Sequence, residues 1–232
     1  MKKIHLFSYA LPGLLVLFWL TPAILLAQTE KRNAENFTQI SYSIPGKLIL
    51  VQSDKFELTL EGQKSDLEKI VTRVDGSTLI IKTNDFTNLK DDVTVRISMP
   101  QLTELDLAGS GQVLAGSGFK AEALELLVTG SGNIEFADLQ CKSLSAVVTG
   151  SGNIKVKGKA PKVSLEITGS GDIDLEQFEA TGAEVEITGS GSAVVWATEK
   201  LETNITGSGS VRYKGQPLID AEAVGSGSTR PL

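Results

Sequence analysis

The chain has 232 residues, 41% of them hydrophobic and 22% charged, with 23 glycines, one cysteine, one histidine and a formal net charge of −6. Its length and apolar content are those of roughly one folded domain, not of a disordered chain. A single cysteine excludes an internal disulfide framework, and an acidic chain with no basic run is not expected to bind nucleic acid.

Lys2 and Lys3 precede an almost wholly apolar run from Leu11 to Leu26, and Ala27 is a small residue suited to cleavage. The pattern predicts a signal peptide over residues 1–27 and a mature chain beginning near Gln28, with no membrane contact after cleavage. Leu25 near the cut and the length of the run leave a retained anchor as the alternative. Cleavage removes two lysines and no acid, so the mature charge is −8, and it removes His5, the only histidine.

Residues 28–36 read as a linker. Residues 37–100 alternate apolar and polar residues in short runs, as in Lys55 to Glu61, Thr78 to Lys82 and Val93 to Ser98, and Asp75-Gly76 marks a tight turn between two of them. These runs predict irregular strands continuous with the segment that follows. A separate small β-domain ending at Pro100 is the alternative.

From 101 to 232 a repeat governs the chain. Gly-Ser-Gly recurs with its first glycine at 109, 130, 150, 169, 189, 207 and 225, and a further copy at Gly116 to Gly118 is out of phase and reads as a turn. Apolar residues alternate on both sides of each copy. Val128, Val148, Ile167 and Ile187 stand two positions before the first glycine, and Ile134, Ile154 and Ile173 four positions after it. Each unit is therefore strand, glycine turn, strand and a shorter third segment, with one face of each strand buried. Stacking such units buries a continuous interior, which predicts an all-β fold: a right-handed parallel β-helix, or β-solenoid, with coils of about 20 residues. The final coil, with Ala221, Ala223 and Thr229 in the inward columns, reads as a C-terminal cap.

The phased Gly-Ser-Gly-Asn-Ile pattern, following Ile97-Ser-Met-Pro100 and Leu102, resembles the head GIN domain family of putative auto-transporter adhesins over about residues 34–228. The resemblance implies a secreted bacterial envelope protein with a β-helical fold and no assigned biochemical activity. Five residues follow Gly227, too few for the strands of a translocating barrel, so the auto-transporter half of the label is not expected to apply.

Two groups of outward residues carry candidate binding chemistry. Glu184, Glu202 and Asp220 fall in one column, and Glu186 and Glu222 in the next, so stacking gathers carboxylates that attract a divalent cation such as calcium or a basic partner. A solvated acidic wall is the plainer reading. On the face after the turn, charges alternate in sign through Glu135, Lys155 and Asp174. In the neighbouring column Trp196 lies between Glu176 and Lys214, as a stacking platform for a sugar or an anchor for a protein, unless the indole is buried. Asp172 sits in a Gly-Ser-Gly-Asp-Ile-Asp run that only partly matches a calcium-binding repeat, whose period is shorter. Cys141 falls in a column of small residues and reads as corner filler.

No mature histidine remains to activate the turn serines, so hydrolysis through a serine nucleophile is not expected. The expectation is an exported, non-enzymatic scaffold that binds a surface glycan or envelope protein. A polysaccharide-active enzyme, or a membrane-anchored periplasmic structural or sensing module, are the alternatives.

Overall fold

The computed structural model describes residues 28–84, 89 and 93–232. The predicted signal peptide lies outside them. Among the described residues the chain is nearly all β, folded as stacked coils of about 20 residues.

In the repeat region the strands are β8 (Glu104–Gly109) and β9 (Gln112–Ala115), the two-residue β10 (Phe119–Lys120), then β11 (Ala123–Gly130), β12 (Asn133–Gln140) and β13 (Ser143–Gly150). They continue as β14 (Asn153–Gly169), β15 (Asp172–Gly189), β16 (Ser192–Gly207), β17 (Ser210–Lys214), β18 (Leu218–Gly225) and β19 (Ser228–Pro231). Each pairs in parallel with its counterpart one coil away, and the first glycines stack from Gly109 to Gly225 in one register. Two sheets result, one before and one after the glycine turn, with a short third side between them. The inward columns expected from the alternation are buried, from Leu107 and Val113 to Ile205 and Val211.

The turn has a specific steric cause. Gly150 has φ +118°, and a Cβ there would lie 2.5 Å from the carbonyl oxygen of Gly130 in the coil before. A Cβ on Gly171 would meet Val148 Cγ1 at the same distance. Glycine lets successive turns stack without a gap. The backbone satisfies its own groups at the turn: Ser151 N–H donates to Gly130 O and Ser170 N–H to Gly150 O, both at 2.8 Å. The out-of-phase copy is a turn, with Gly118 at φ +80°.

The amino-terminal region joins the same two sheets in a different order. Its strands are β1 (Gln28–Arg32), β2 (Gln39–Ser43), β3 (Lys47–Gln52), β4 (Glu57–Gly62), β5 (Ile70–Asp75), β6 (Thr78–Thr83) and β7 (Thr94–Met99), with a short helix α1 (Lys64–Leu67). The coil β2–β3 lies between β6–β7 on one side and β8–β9 on the other, all in parallel. The chain therefore lays down the second coil before the first. Beyond β6–β7 the pairing turns antiparallel: β4 pairs with β7, β5 with β6 and β1 with β4. Asp75-Gly76 supplies the tight turn of the β5–β6 hairpin, with Gly76 at φ +59°.

Side chains hold this end together. Arg32 donates to Leu67 O at 2.8 Å and Ile70 O at 2.5 Å, satisfying carbonyls around α1, and it pairs with Glu30 at 3.0 Å. Gln52 acts as one rung of backbone, donating to Lys120 O at 2.9 Å and accepting from Lys120 N–H at 2.7 Å. The buried Tyr42 ring underlies the first repeat turn, where a Cβ on Gly111 would lie 2.8 Å from it.

Candidate functional site: the faces of the solenoid

The parallel register sets adjacent coils about 4.8 Å apart, so any outward column becomes a row of like positions. On the face before the turn, Glu184, Glu202 and Asp220 are register partners, as are Glu186, Asn204 and Glu222. These residues line a shallow recess of about 340 Å³. The wall is not purely acidic, because Lys200 is ion-paired with Glu202. That bond, with the nearby charges of Asp220 and Glu184, holds the Lys200 ammonium above its ordinary range. Among the described residues no three metal-ligating side chains are grouped to hold an ion.

Towards the corner with the third side, the same face is hollow. A groove of about 730 Å³ crosses five coils, from Ala123 through Ser143, Lys162 and Gly182 to Lys200, and runs along the serines of the adjoining column, Ser145 and Ser164. Five coils span about 20 Å. The groove's small lining residues are Ala123, Ser143 and Gly182 in the column seven positions before the turn glycine, and Ser145 and Ser164 in the column five before it, interspersed with long charged side chains. Glu122, Glu125, Glu184, Glu202, Lys162 and Lys200 ring it with both signs of charge. The sequence contains these small residues, interrupted in their column by Lys162 and Lys200, and nothing in the alternation marks them as a groove.

On the face after the turn, side chains pair with one another from coil to coil. Lys155 Nζ lies 2.6 Å from Asp174, in the column of alternating sign expected from the repeat. Burial raises the Asp174 carboxyl, but the Lys155 bond and charge and a backbone bond from Glu176 outweigh it, so the group is held below its ordinary range. Asn153 donates to Asn133 at 2.7 Å, and Ser192 donates to Asp172 at 2.7 Å, which occupies the aspartate of the calcium-like run.

Trp196 points outward and is partly buried, as the alternation placed it, but its surroundings differ from the expected column. A register shift between Leu175 and Glu179 sets Glu179 beside Trp196 and moves Glu176 out of line. Lys214, the partner on the other side, lays its ammonium 3.7 Å from the ring centroid. The indole face towards Lys214 is therefore occupied by a cation–π contact.

Cys141 is buried at the corner, and burial pushes its thiol up to about 11. Lys120 and Lys159 from neighbouring coils join Lys142 around the recess beside it. At neutral pH the sulfur is a protonated filler and not a nucleophile.

Two carboxylates flanking a cleft, one with a raised pKa, would mark a glycosidase. Asp106 is raised by partial burial, against the opposing effect of a 3.4 Å bond from Ser41, but it stands on the paired sheet between β2 and β11 and not in the groove.

The chain belongs to the family described as putative auto-transporter adhesin, head GIN domain, whose model matches residues 36–217. Among solved structures, a putative adhesin from Bacteroides fragilis is 25% identical with a TM-score of 0.85, over 89% of this chain and 97% of that one. A putative lipid binding protein from Parabacteroides distasonis is 28% identical with a TM-score of 0.76, over 89% and 97%. A putative adhesin from Parabacteroides merdae, at 21% identity and a TM-score of 0.68 over 89% and 96%, shares the fold. No curated protein matches. Among the described residues no helix is long and apolar enough to cross a membrane.

Proposed function

We propose that this protein is an exported, non-enzymatic adhesin module of a bacterial envelope or cell surface, and that an extended surface glycan lies in the groove of the face before the turn. The observation that carries this reading is the groove itself: a trough across five coils, lined by small side chains, by serine hydroxyls and by charges of both signs. Serine hydroxyls and paired Lys and Glu side chains supply donors and acceptors to a hydroxyl-rich chain, while the flat β floor accepts its apolar faces. The family and the solved adhesins of the same fold support a binding role over a catalytic one. Trp196, whose ring is covered on one side by Lys214, is a poorer platform than the groove.

Gly182 gives the test its specificity, because it has ordinary φ and a Cβ there meets nothing within 4 Å. A Gly182→Trp change fills the trough without straining the turn. On a glycan array, with and without calcium, the protein should retain glycan and release no new reducing ends. Gly182→Trp should weaken retention at least tenfold and Trp196→Ala leave it unchanged. Release of reducing ends supports an enzyme, and loss only in Trp196→Ala moves the site to the face after the turn. Retention that requires calcium and survives Gly182→Trp assigns binding to the columns of Glu184 to Glu222. Absence of retention sends the search to an envelope protein partner, and an uncleaved amino terminus in membranes supports the anchored module.

A further inference from the structure

The two ends of the solenoid differ in what they leave unpaired. At the amino-terminal end the outermost strands β1 and β5 are antiparallel additions of five and six residues carrying Glu30, Lys31, Arg73 and Asp75, a charged form that resists further pairing. At the other end β18 pairs only with β16, and β19 only with β17, among the described residues. Here Leu218 is 82% exposed, Val224 70%, Leu232 53% and Ile219 45%. Ser226 N–H donates back to Gly207 O, and Leu232 N–H to Tyr213 O. Since backbone groups alternate in direction along a strand, the N–H groups of Ile219, Ala221, Ala223 and Thr229 point away from the solenoid, towards open solvent.

The charges on this edge are segregated by sheet. β18 carries Asp220 and Glu222 outward, beside Glu202, whereas β19 carries Arg230 outward, beside Arg212. The hydroxyls of Thr203 and Thr229 meet at 2.8 Å across the core, and Thr203 is the register partner of Ala221, so Ala221 and Thr229 stand opposite one another at the mouth of the solenoid.

We propose that the protein forms a symmetric dimer through this edge, with β18 of each copy pairing antiparallel to β19 of the other. A two-fold axis between the sheets and parallel to the strands exchanges the two sheets and keeps inward residues inward. With Ala221 facing Thr229 of the second copy, the register sets Leu218 on Leu232, Ile219 on Pro231, Asp220 on Arg230 and Glu222 on Ser228. Apolar residues meet apolar ones, and acid meets base. Pairing β18 with β18 instead, with Ala221 on the axis, sets Asp220 against Glu222 twice, which like-charge repulsion disfavours. Pro231 lacks the N–H that would answer Ile219, so one rung carries a single bond and the contact stays limited in extent. Because each end closes on its own kind, the contact makes a dimer and not a filament. Because the axis exchanges the two sheets, the grooves of the dimer face opposite sides, which suits it to bridging two chains and not to gripping one surface twice.

Sedimentation velocity of the exported protein over a range of concentrations tests the contact. The mass expected is twice that of one chain, and Arg230→Asp or Asp220→Arg alone should weaken association at least tenfold. The double change Asp220→Arg with Arg230→Asp restores the charge match and should recover it. A Glu222→Cys, Ser228→Cys variant should form a disulfide-linked dimer on a non-reducing gel, since opposed residues of an antiparallel pair lie about 4.5 Å apart, within disulfide reach. Within one chain these two positions sit on different sheets and cannot bridge. A monomer at every concentration overturns the proposal. So does a dimer indifferent to the charge changes, or one that the double change fails to restore while circular dichroism shows it folded.

Discussion

The amino-terminal region and the repeat region build the same two sheets by different means. In the repeat each coil adds one parallel rung to its predecessor, and the same glycine turn closes every coil from Gly109 to Gly225. In the amino-terminal region the coil β2–β3 is inserted between two coils made later, and antiparallel strands close the stack. Its junctions depend on single side chains: Arg32 at α1, Gln52 in place of a backbone rung, and Lys69 against the buried Asp66 at 2.6 Å. A repeated rule makes stability nearly additive from coil to coil, whereas a closing structure concentrates it in a few irreplaceable contacts.

The sharpest way to break this contrast lies in the turn ladder. Gly150→Ala places a methyl 2.5 Å from Gly130 O at φ +118°, and should cost about 3 kcal/mol in denaturant unfolding, from strain and the forced parting of two coils. Gly182→Ala, outside the ladder with open space around it, should be neutral or stabilise by about 0.5 kcal/mol. Equal effects at the two positions would show that coil-to-coil contact does not dictate glycine at the turn.

Arg32→Ala comes next. It leaves the carbonyls of Leu67 and Ile70 without a charged donor, and should cost about 2 kcal/mol. Hydrogen exchange should quicken first in β1, β4 and α1 while the amides of β13 to β15 stay protected. Uniform quickening along the whole chain would mean that the closing structure and the repeat unfold as one unit.

The smallest effect is expected on the face after the turn. Lys155→Ala removes a largely exposed pair with Asp174 and should cost about 0.5 kcal/mol at neutral pH. Because Asp174 is held below its ordinary range, the pair stabilises the fold above the unfolded carboxylate pKa. That contribution is lost as pH falls through the lower folded value, so the wild type and the variant should converge in acid. A difference that persists in acid would assign the effect to packing by the lysine stem.

The inward columns of the repeat were legible in the sequence, as were the turn at Gly116 to Gly118 and the hairpin at Asp75-Gly76. The acidic columns of Glu184 to Glu222 were legible too, because a period of two and a fixed repeat length carry registers without knowledge of the fold. Trp196 was placed outward correctly, but its neighbour was not: a bulge of Glu176 to Phe178 shifts the register, and a bulge leaves no mark in an alternation read one coil at a time. The groove was missed because its column mixes the small Ala123, Ser143 and Gly182 with Lys162 and Lys200, and an alternation records which side a residue faces but not the depth of the surface there.

By itself the sequence determined that this chain stacks, where its coils turn and which side chains face inward. These follow from local rules of strand alternation and positive-φ glycine, applied again at each repeat. The tertiary structure decided the order of the first coils, the cover of Lys214 on Trp196, the depth of the groove and the opposed charges on the two edge strands. Each of these depends on segments remote in sequence meeting in space, and no local pattern encodes which remote segment a strand will meet.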